Sequence, residues 1–255
     1  MESGYYAALT GLVAKFNALD IAANNLANVS TTGYKAQEDF YRTYSATMGN
    51  SEVGPLNLAI NNYGVLGGAS TNFEEGAVEN TGNALDIALQ GKGFLVVKTQ
   101  ADDLYTRDGS LRVNAKGILT DQQGDPVMGL VPKKNGKPGE GPVTLPQGDV
   151  SISPSGVISV EGSVVGQLKV VEFPQHTPLT LQGSNQYSAP ASSAVLAANP
   201  DIKQRALEAS NVNPMSETVS LILLQQEAQE LQNAISTFDK DFDQSAINNI
   251  PIIQQ

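Results

Sequence analysis

Two apolar heptad patterns, one at each end of the chain, restrict its fold more than any other feature. Tyr5, Leu9, Leu12, Phe16, Leu19, Ala23 and Leu26 follow one another at spacings of 4, 3, 4, 3, 4 and 3. Leu221, Leu224, Ala228, Leu231, Ile235, Phe238 and Phe242 do so at 3, 4, 3, 4, 3 and 4. A repeat averaging 3.5 residues keeps a narrow apolar seam facing a partner helix, as in a left-handed coiled coil. Both termini are therefore expected to pack against helices, with a different domain held between them. A narrow seam on one helix pair buries too little to offset the ordering of both helices, so the termini are expected to order when subunits assemble. This is the pattern of an assembling protein rather than an enzyme.

The first helix is expected from about Ser3, as N-cap, to about Asn28. Val29-Ser30-Thr31-Thr32-Gly33 ends it with β-branched residues and a glycine free to take positive φ. Tyr34 to Met48 fits helix or strand equally. Gly49 to Gly76, rich in Gly64, Gly67 and Gly68, reads as an extended linker. Short apolar or alternating runs then mark strands at Phe94–Val97, Leu104–Thr106, Leu111–Val113, Ile118–Thr120, Val127–Val131, Val150–Ile152 and Val157–Val160, with the longest at Val164–Phe173. Asp108-Gly109, Ala115-Lys116-Gly117 and Pro154-Ser155-Gly156 supply turns. Asn213-Pro214 opens the last helix as cap and first helical residue, and Asn248-Asn249-Ile250-Pro251 closes it. The expected fold class is α+β. Residues 1–35 with 205–255 form a terminal helical assembly domain of coiled-coil-like paired helices, 36–75 a linker and 76–204 a central all-β domain.

Charge and residue content exclude several chemistries. The 255 residues carry 15 Lys plus Arg against 26 Asp plus Glu, a formal net charge of −11 that repels nucleic acid. Absence of cysteine removes disulfides, thiol catalysis and Cys-ligated metals. The one histidine, His176, sits between Pro174 and Pro178 in a turn-like stretch, poorly placed for a triad or a metal site. Asp239, Asp241 and Asp243 imitate the start of a calcium loop, but Gln244 and Ile250 stand where glycine and glutamate belong. Gly91-Lys92-Gly93 lacks phosphate-loop spacing and precedes a strand. Lys133 to Gly139 reads as an exposed loop. No catalytic residue, cofactor or metal site is expected. The Met-Glu-Ser-Gly-Tyr-Tyr start has no cleavable-signal pattern, and no apolar run is long enough to insert in a membrane.

A family resemblance rests on four stretches in order. Ala23-Asn24-Asn25-Leu26-Ala27-Asn28-Val29-Ser30-Thr31-Thr32-Gly33-Tyr34-Lys35 resembles the N-terminal signature of bacterial flagellar rod and hook proteins; its matching positions are Asn24, Asn25, Leu26, Ala27, Asn28, Thr31, Thr32, Gly33, Tyr34 and Lys35. Thr81 to Phe94 and Tyr105 to Leu111 resemble the start of that family's middle domain, and Ala206 to Asn213 the approach to its C-terminal helix. Tyr63 to Gly68 followed by Asn72-Phe73 is most similar to the proximal-rod branch and next to the distal-rod branch. Gln226-Glu227-Ala228 departs from the family's usual Arg-Ala-Tyr, and Ser30 from its usual Asn.

The resemblance implies a structural axial subunit of the basal-body rod that assembles helically around an export channel and supports motility. It also implies export through the flagellar type III apparatus without a cleaved signal, a periplasmic rod location, monomers before assembly, and other rod and hook subunits as partners. The competing reading is a secreted β-domain binding module or adhesin oligomerised by its terminal helices. The adhesin would sediment as a small closed oligomer and the rod subunit as a dilute monomer.

Overall fold

The computed structural model describes residues 2–45, 62–100, 102–132, 138–174, 177–183 and 185–248. The chain folds as two compact units, one of Met1–Ala27, Gln37–Ser70 and Asn213–Gln255, the other of Asn28–Ala36 and Thr71–Val212. Both terminal segments thus belong to one unit, and the short segment after the first helix belongs to the other. Sequence reading had placed 28–35 and 205–212 with the helices.

The helical unit contains α1 (Glu2–Ala27), β1 (Gln37–Ser45), β2 (Asn62–Thr71) and α2 (Pro214–Asn248). α1 already includes Ser3, which is therefore a helical residue and not the cap. The α2 cap is Asn213, whose side-chain oxygen accepts from the Met215 and Ser216 N–H groups at 3.0 and 3.3 Å, satisfying donors that the first turn leaves open. The two helices run antiparallel. Lys15 pairs with Glu227 at 2.6 Å, Asn25 donates to Glu217 at 3.3 Å, and Gly11 faces Leu231, so contacts step in opposite directions along the two helices. Where helix and strand were equally open after Tyr34, the chain takes up β1, and β1 pairs with β2 in a two-stranded sheet. β2 occupies part of the expected linker; Gly49 to Asn61, and Met48, lie outside the described residues.

The β unit is built from two sheets and three ribbons. One sheet has the order β10 (Pro138–Pro142), β9 (Met128–Pro132), β13 (Ser163–Leu168), β12 (Val157–Val160) and β11 (Val150–Ile152). The other has the order β15 (Thr180–Leu181), β16 (Gln186–Ser188), β6 (Asp103–Thr106), β5 (Phe94–Lys98), β14 (Val170–Glu172) and β17 (Val195–Leu196). The ribbons are β3 (Val78–Asn80) with β19 (Ala206–Glu208), β4 (Ile87–Gln90) with β18 (Asp201–Gln204), and β7 (Arg112–Val113) with β8 (Leu119–Thr120). The long strand expected at Val164–Phe173 is broken at Lys169, so that β13 serves one sheet and β14 the other. Successive residues of β5 point to opposite faces, as a pleated strand requires. Leu95 and Val97 enter a core with Leu119, Val127, Val143, Ile158 and Ile202, while Phe94 and Val96 join Tyr105, Val171 and Tyr187 on the other face. On that second face Phe73 and Phe173 meet Phe94 edge-on, with ring centroids 5.4 and 5.5 Å away. Lys133 to Lys137 and His176 lie outside the described residues.

Candidate functional site

Two features of the structure bear on function, one in each unit. In the helical unit, α1 turns a stripe of small residues toward α2. Among the described side chains, Ala14, Ala18, Ala22 and Asn25 are its buried residues, and opposite them Ala228 is the buried residue of α2. Small side chains let two helix backbones approach closely, so this pairing needs none of the large residues of the α1 seam. Those residues lie on the other side. Leu9 and Phe16 are 40% and 43% exposed, with Val13 between them at 53%. Ala23 is exposed, and Tyr5, Leu12, Leu19 and Leu26 are half-buried. On α2, Leu221, Leu224, Leu231 and Ile235 are half-buried beside Ala228, Phe238 is exposed, and the Phe242 side chain lies outside the described residues. A second stripe on α2 faces away from Ala228 at helical spacing: Met215, Val219, Ile222 and Leu223, each at least half exposed. This stripe and Val13 fall outside the 3.5-residue repeat, so the heptad pattern does not mark them.

Asn25 also binds β1 from both sides, donating to the Gln37 carbonyl at 2.8 Å and accepting from the Gln37 N–H at 2.9 Å. The clasp fixes the first residue of the strand, which explains why the motif carries asparagine at this helix position: a side chain with both a donor and an acceptor is needed.

In the β unit the motif segment 28–36 is held by a charged knot. Gly33 has φ +66° and lies so near the Arg107–Asp108 peptide that an added Cβ would fall 2.7 Å from it. The Gly33 N–H donates to the Glu208 carbonyl at 2.8 Å. Two residues on, the Lys35 ammonium donates to a Glu208 carboxylate oxygen and to the Glu74 carbonyl, both at 2.6 Å. The same Glu208 oxygen accepts the Gly76 N–H at 3.0 Å, and the other accepts from Arg107 at 2.9 Å. Arg107 continues to the Leu89 and Gly91 carbonyls at 3.2 and 2.8 Å and lies 5.6 Å from the Phe94 ring centroid. Lys35, Arg107 and Glu208 are each 1% exposed. Burial lowers the Lys35 pKa, and the hydrogen bond that its ammonium donates to Glu208 works against that shift. Nearby, Asn211 accepts from the Ala36 N–H at 2.7 Å and donates to the Asn72 carbonyl at 2.9 Å.

The knot joins all four family-like stretches, through Gly33 and Lys35, through Leu89 and Gly91, through Arg107, and through Glu208. Of its three charged residues only Lys35 was singled out from sequence. Arg107 and Glu208 lie inside the family-like stretches, but no local sequence signal marks them, because their burial depends on partners distant in the chain. Of the remaining motif residues, Gly33 and Tyr34 are buried, Asn28, Thr31 and Thr32 are half-buried, and Asn24 and Ala27 are exposed. Every buried polar side-chain atom described has a partner, which suits a fastening rather than a reacting centre. Among the described residues no group of three His, Cys, Asp or Glu side chains could hold a metal ion.

A second acidic group gives the β unit a pH dependence. Burial pushes the Asp108 and Asp121 carboxyls up, against hydrogen bonds from Ser110 to the first and from Asp125, Gln186 and Gln123 to the second. The folded state therefore holds these protons to a higher pH than the unfolded chain does. Stability should rise as pH falls through the raised values and level off below the ordinary carboxylate value of about 4. Melting of the β unit followed by calorimetry should move up as the pH is lowered from neutral toward the ordinary carboxylate value of about 4. Asp108→Asn should flatten that slope, and a midpoint that falls over the same interval would refute the assignment.

Comparison with known proteins gives the same order of parts. Residues 6–35 match the model for flagella basal body rod proteins, 88–160 that for the flagellar hook protein FlgE/F/G D1 domain, and 203–249 that for the flagellar basal body rod FlgEFG protein C-terminal region. The chain is 31% identical to the flagellar basal-body rod protein FlgF of Caulobacter vibrioides, covering 96% of this chain and 94% of that one. It is 30% identical to FlgF of Salmonella typhimurium over 94% and 96% of the two chains, and 30% identical to the rod protein FlgG of Agrobacterium fabrum over 91% and 94%. With relatives matched along nearly their whole length and the three family regions in sequence, the chain belongs to the flagellar basal-body rod protein family.

Proposed function

We propose that this chain is a structural, non-catalytic subunit of the flagellar rod, in which the outward stripes of α1 and α2 are covered by neighbouring rod and hook-family subunits. The subunits assemble helically around an export channel. They reach it as monomers, passed through the flagellar type III apparatus without a cleaved signal, and the rod they build stands in the periplasm. α1 and α2 act as a coiled-coil-like pair, and heterologous contacts between such pairs that do not close generate a tube. Among the described residues no helix is long and apolar enough to cross a membrane.

The supporting observation is the placement of the large seam residues of α1. α1 meets α2 through alanines, while Leu9, Val13 and Phe16 stay about half exposed. An apolar stripe left uncovered beside an intact intramolecular contact is what an assembly surface requires. Phe16→Asp tests it. Because Phe16 is 43% exposed, part of its surface is already in water and the isolated variant should stay folded, with a loss of about 1–2 kcal/mol. In the assembly the same carboxylate would be buried without a partner, at a cost of several kcal/mol in each subunit. Cells carrying the variant should export it, lack completed flagella and fail to swim, whereas Phe16→Leu should swim. Normal swimming by the Asp variant would overturn the assignment of this face.

A further inference from the structure

We infer that the Lys35–Glu208–Arg107 knot is a completion lock: residues 28–36 dock on the β unit only after the strand carrying Glu208 is in place. The two cations are donated by segments that come early and midway in the chain, and the carboxylate that bonds both comes from β19, the last strand of the unit. Without Glu208, the other groups that Lys35 and Arg107 bond are backbone carbonyls, of Glu74, Leu89 and Gly91. Glu75, which acts on Lys35 from a distance, is an exposed residue engaged with the Gly91 N–H at 2.6 Å. Docking 28–36 early would thus bury two positive charges with no bonded carboxylate, which is strongly unfavourable.

The backbone follows the same logic. β3 and β4, early strands of the unit, have their ladder partners in β19 and β18. The Thr81 N–H donates to the Arg205 carbonyl at 2.9 Å and the Arg205 N–H to the Asp86 carbonyl at 2.7 Å. A chain delivered N-terminus first therefore keeps 28–36 undocked, with α1 ahead of it, until about residue 208 has arrived. The use of this delay in delivery rests on the export route proposed above; the lock itself does not, and the test reads the purified chain alone.

The full-length chain with Glu208→Gln, nearly equal in shape but uncharged, is compared with the parent by amide hydrogen exchange resolved to segments. In the parent, the Gly33 and Ala36 amides should be protected through the Glu208 carbonyl and the Asn211 side chain. In the variant, 28–36 should swing out, because undocking exposes both Lys35 and the Arg107 peptide beneath Gly33. Its protection should fall about a hundredfold or more, while β5 and β12 keep theirs. Adding Lys35→Met removes the charge that Glu208 answers and should restore much of the protection at 28–36. Three results would each overturn the lock: unchanged exchange at 28–36 in the single variant, equal loss throughout the β unit, or no recovery in the double variant.

Discussion

Gly109→Ala should abolish the cooperative folding of the β unit at physiological temperature. An added Cβ at Gly109 would lie 1.7 Å from the Ile87 carbonyl oxygen and 2.7 Å from its carbon. No rotamer relieves such an overlap, because the obstructing atoms are backbone. The Ile87 N–H also donates to the Gly109 carbonyl at 3.0 Å, so parting the two segments would break the contact that starts β4. A loss of about 4 kcal/mol or more is expected, enough to remove most of the stability of a typical domain. Gly124→Ala supplies the control. Unlike Gly109, Gly124 has positive φ, at +90°, but nothing lies within 4 Å of the added Cβ. Its cost should stay near the roughly 1–2 kcal/mol of left-handed backbone strain. Chemical denaturation of the two variants should separate them clearly, and equal midpoints would show that the approach of Gly109 to Ile87 is not a constraint.

Arg107→Met should cost nearly as much, for an electrostatic reason. Methionine keeps much of the arginine stem volume but removes the partner of one Glu208 oxygen and the donors to the Leu89 and Gly91 carbonyls. Lys35 still pairs with Glu208, so the cost comes from one carboxylate oxygen and two carbonyls left without these donors, at about 1–3 kcal/mol for each group left unsatisfied. Arg107→Lys should recover only part of this. A single ammonium cannot reach Glu208 and both carbonyls with the planar fork that arginine offers. If the lysine variant unfolded at the parent midpoint, the fork geometry would be irrelevant and charge alone would suffice.

The β strands were legible wherever apolar residues alternate or run together, as at Phe94–Val97 and Val157–Val160. Those missed are mostly short and polar or carry charge inward, although β4, Ile87–Gln90, is an apolar buried run that also went unread. β18 and β19 span Asp201–Gln204 and Ala206–Glu208, where Ile202, Ala206 and Glu208 are buried. A glutamate at a core position breaks the apolar pattern, and its reason, Lys35 and Arg107, lies far away in sequence. The stretch therefore read as the approach to a helix. Both terminal helices were plain in the heptads, but the face that α1 presents to α2 was not. Large residues dominate a hydrophobic pattern, whereas the contact within the chain uses alanines, which pack by closeness rather than by area. Asn25 and Lys35 stood out through family resemblance. The physical need for them, a strand clasp and a buried cation, became visible only with their partners in view.

The tie between Gly33 and Glu208 also determines how a pull on the chain would travel. The chain passes between the units at Ala27–Asn28, Ala36–Gln37, Ser70–Thr71 and Val212–Asn213. The β-unit segments beside the first and last of these crossings, 28–36 and 208–212, are bonded to one another through the Gly33 N–H, the Lys35 ammonium and the Asn211 side chain. Tension arriving along one segment passes to the other across these bonds within a few residues. The two large sheets lie off that load path. A rod subunit under torque could therefore be strained along its terminal segments while its sheets, and whatever surface they display, keep their shape.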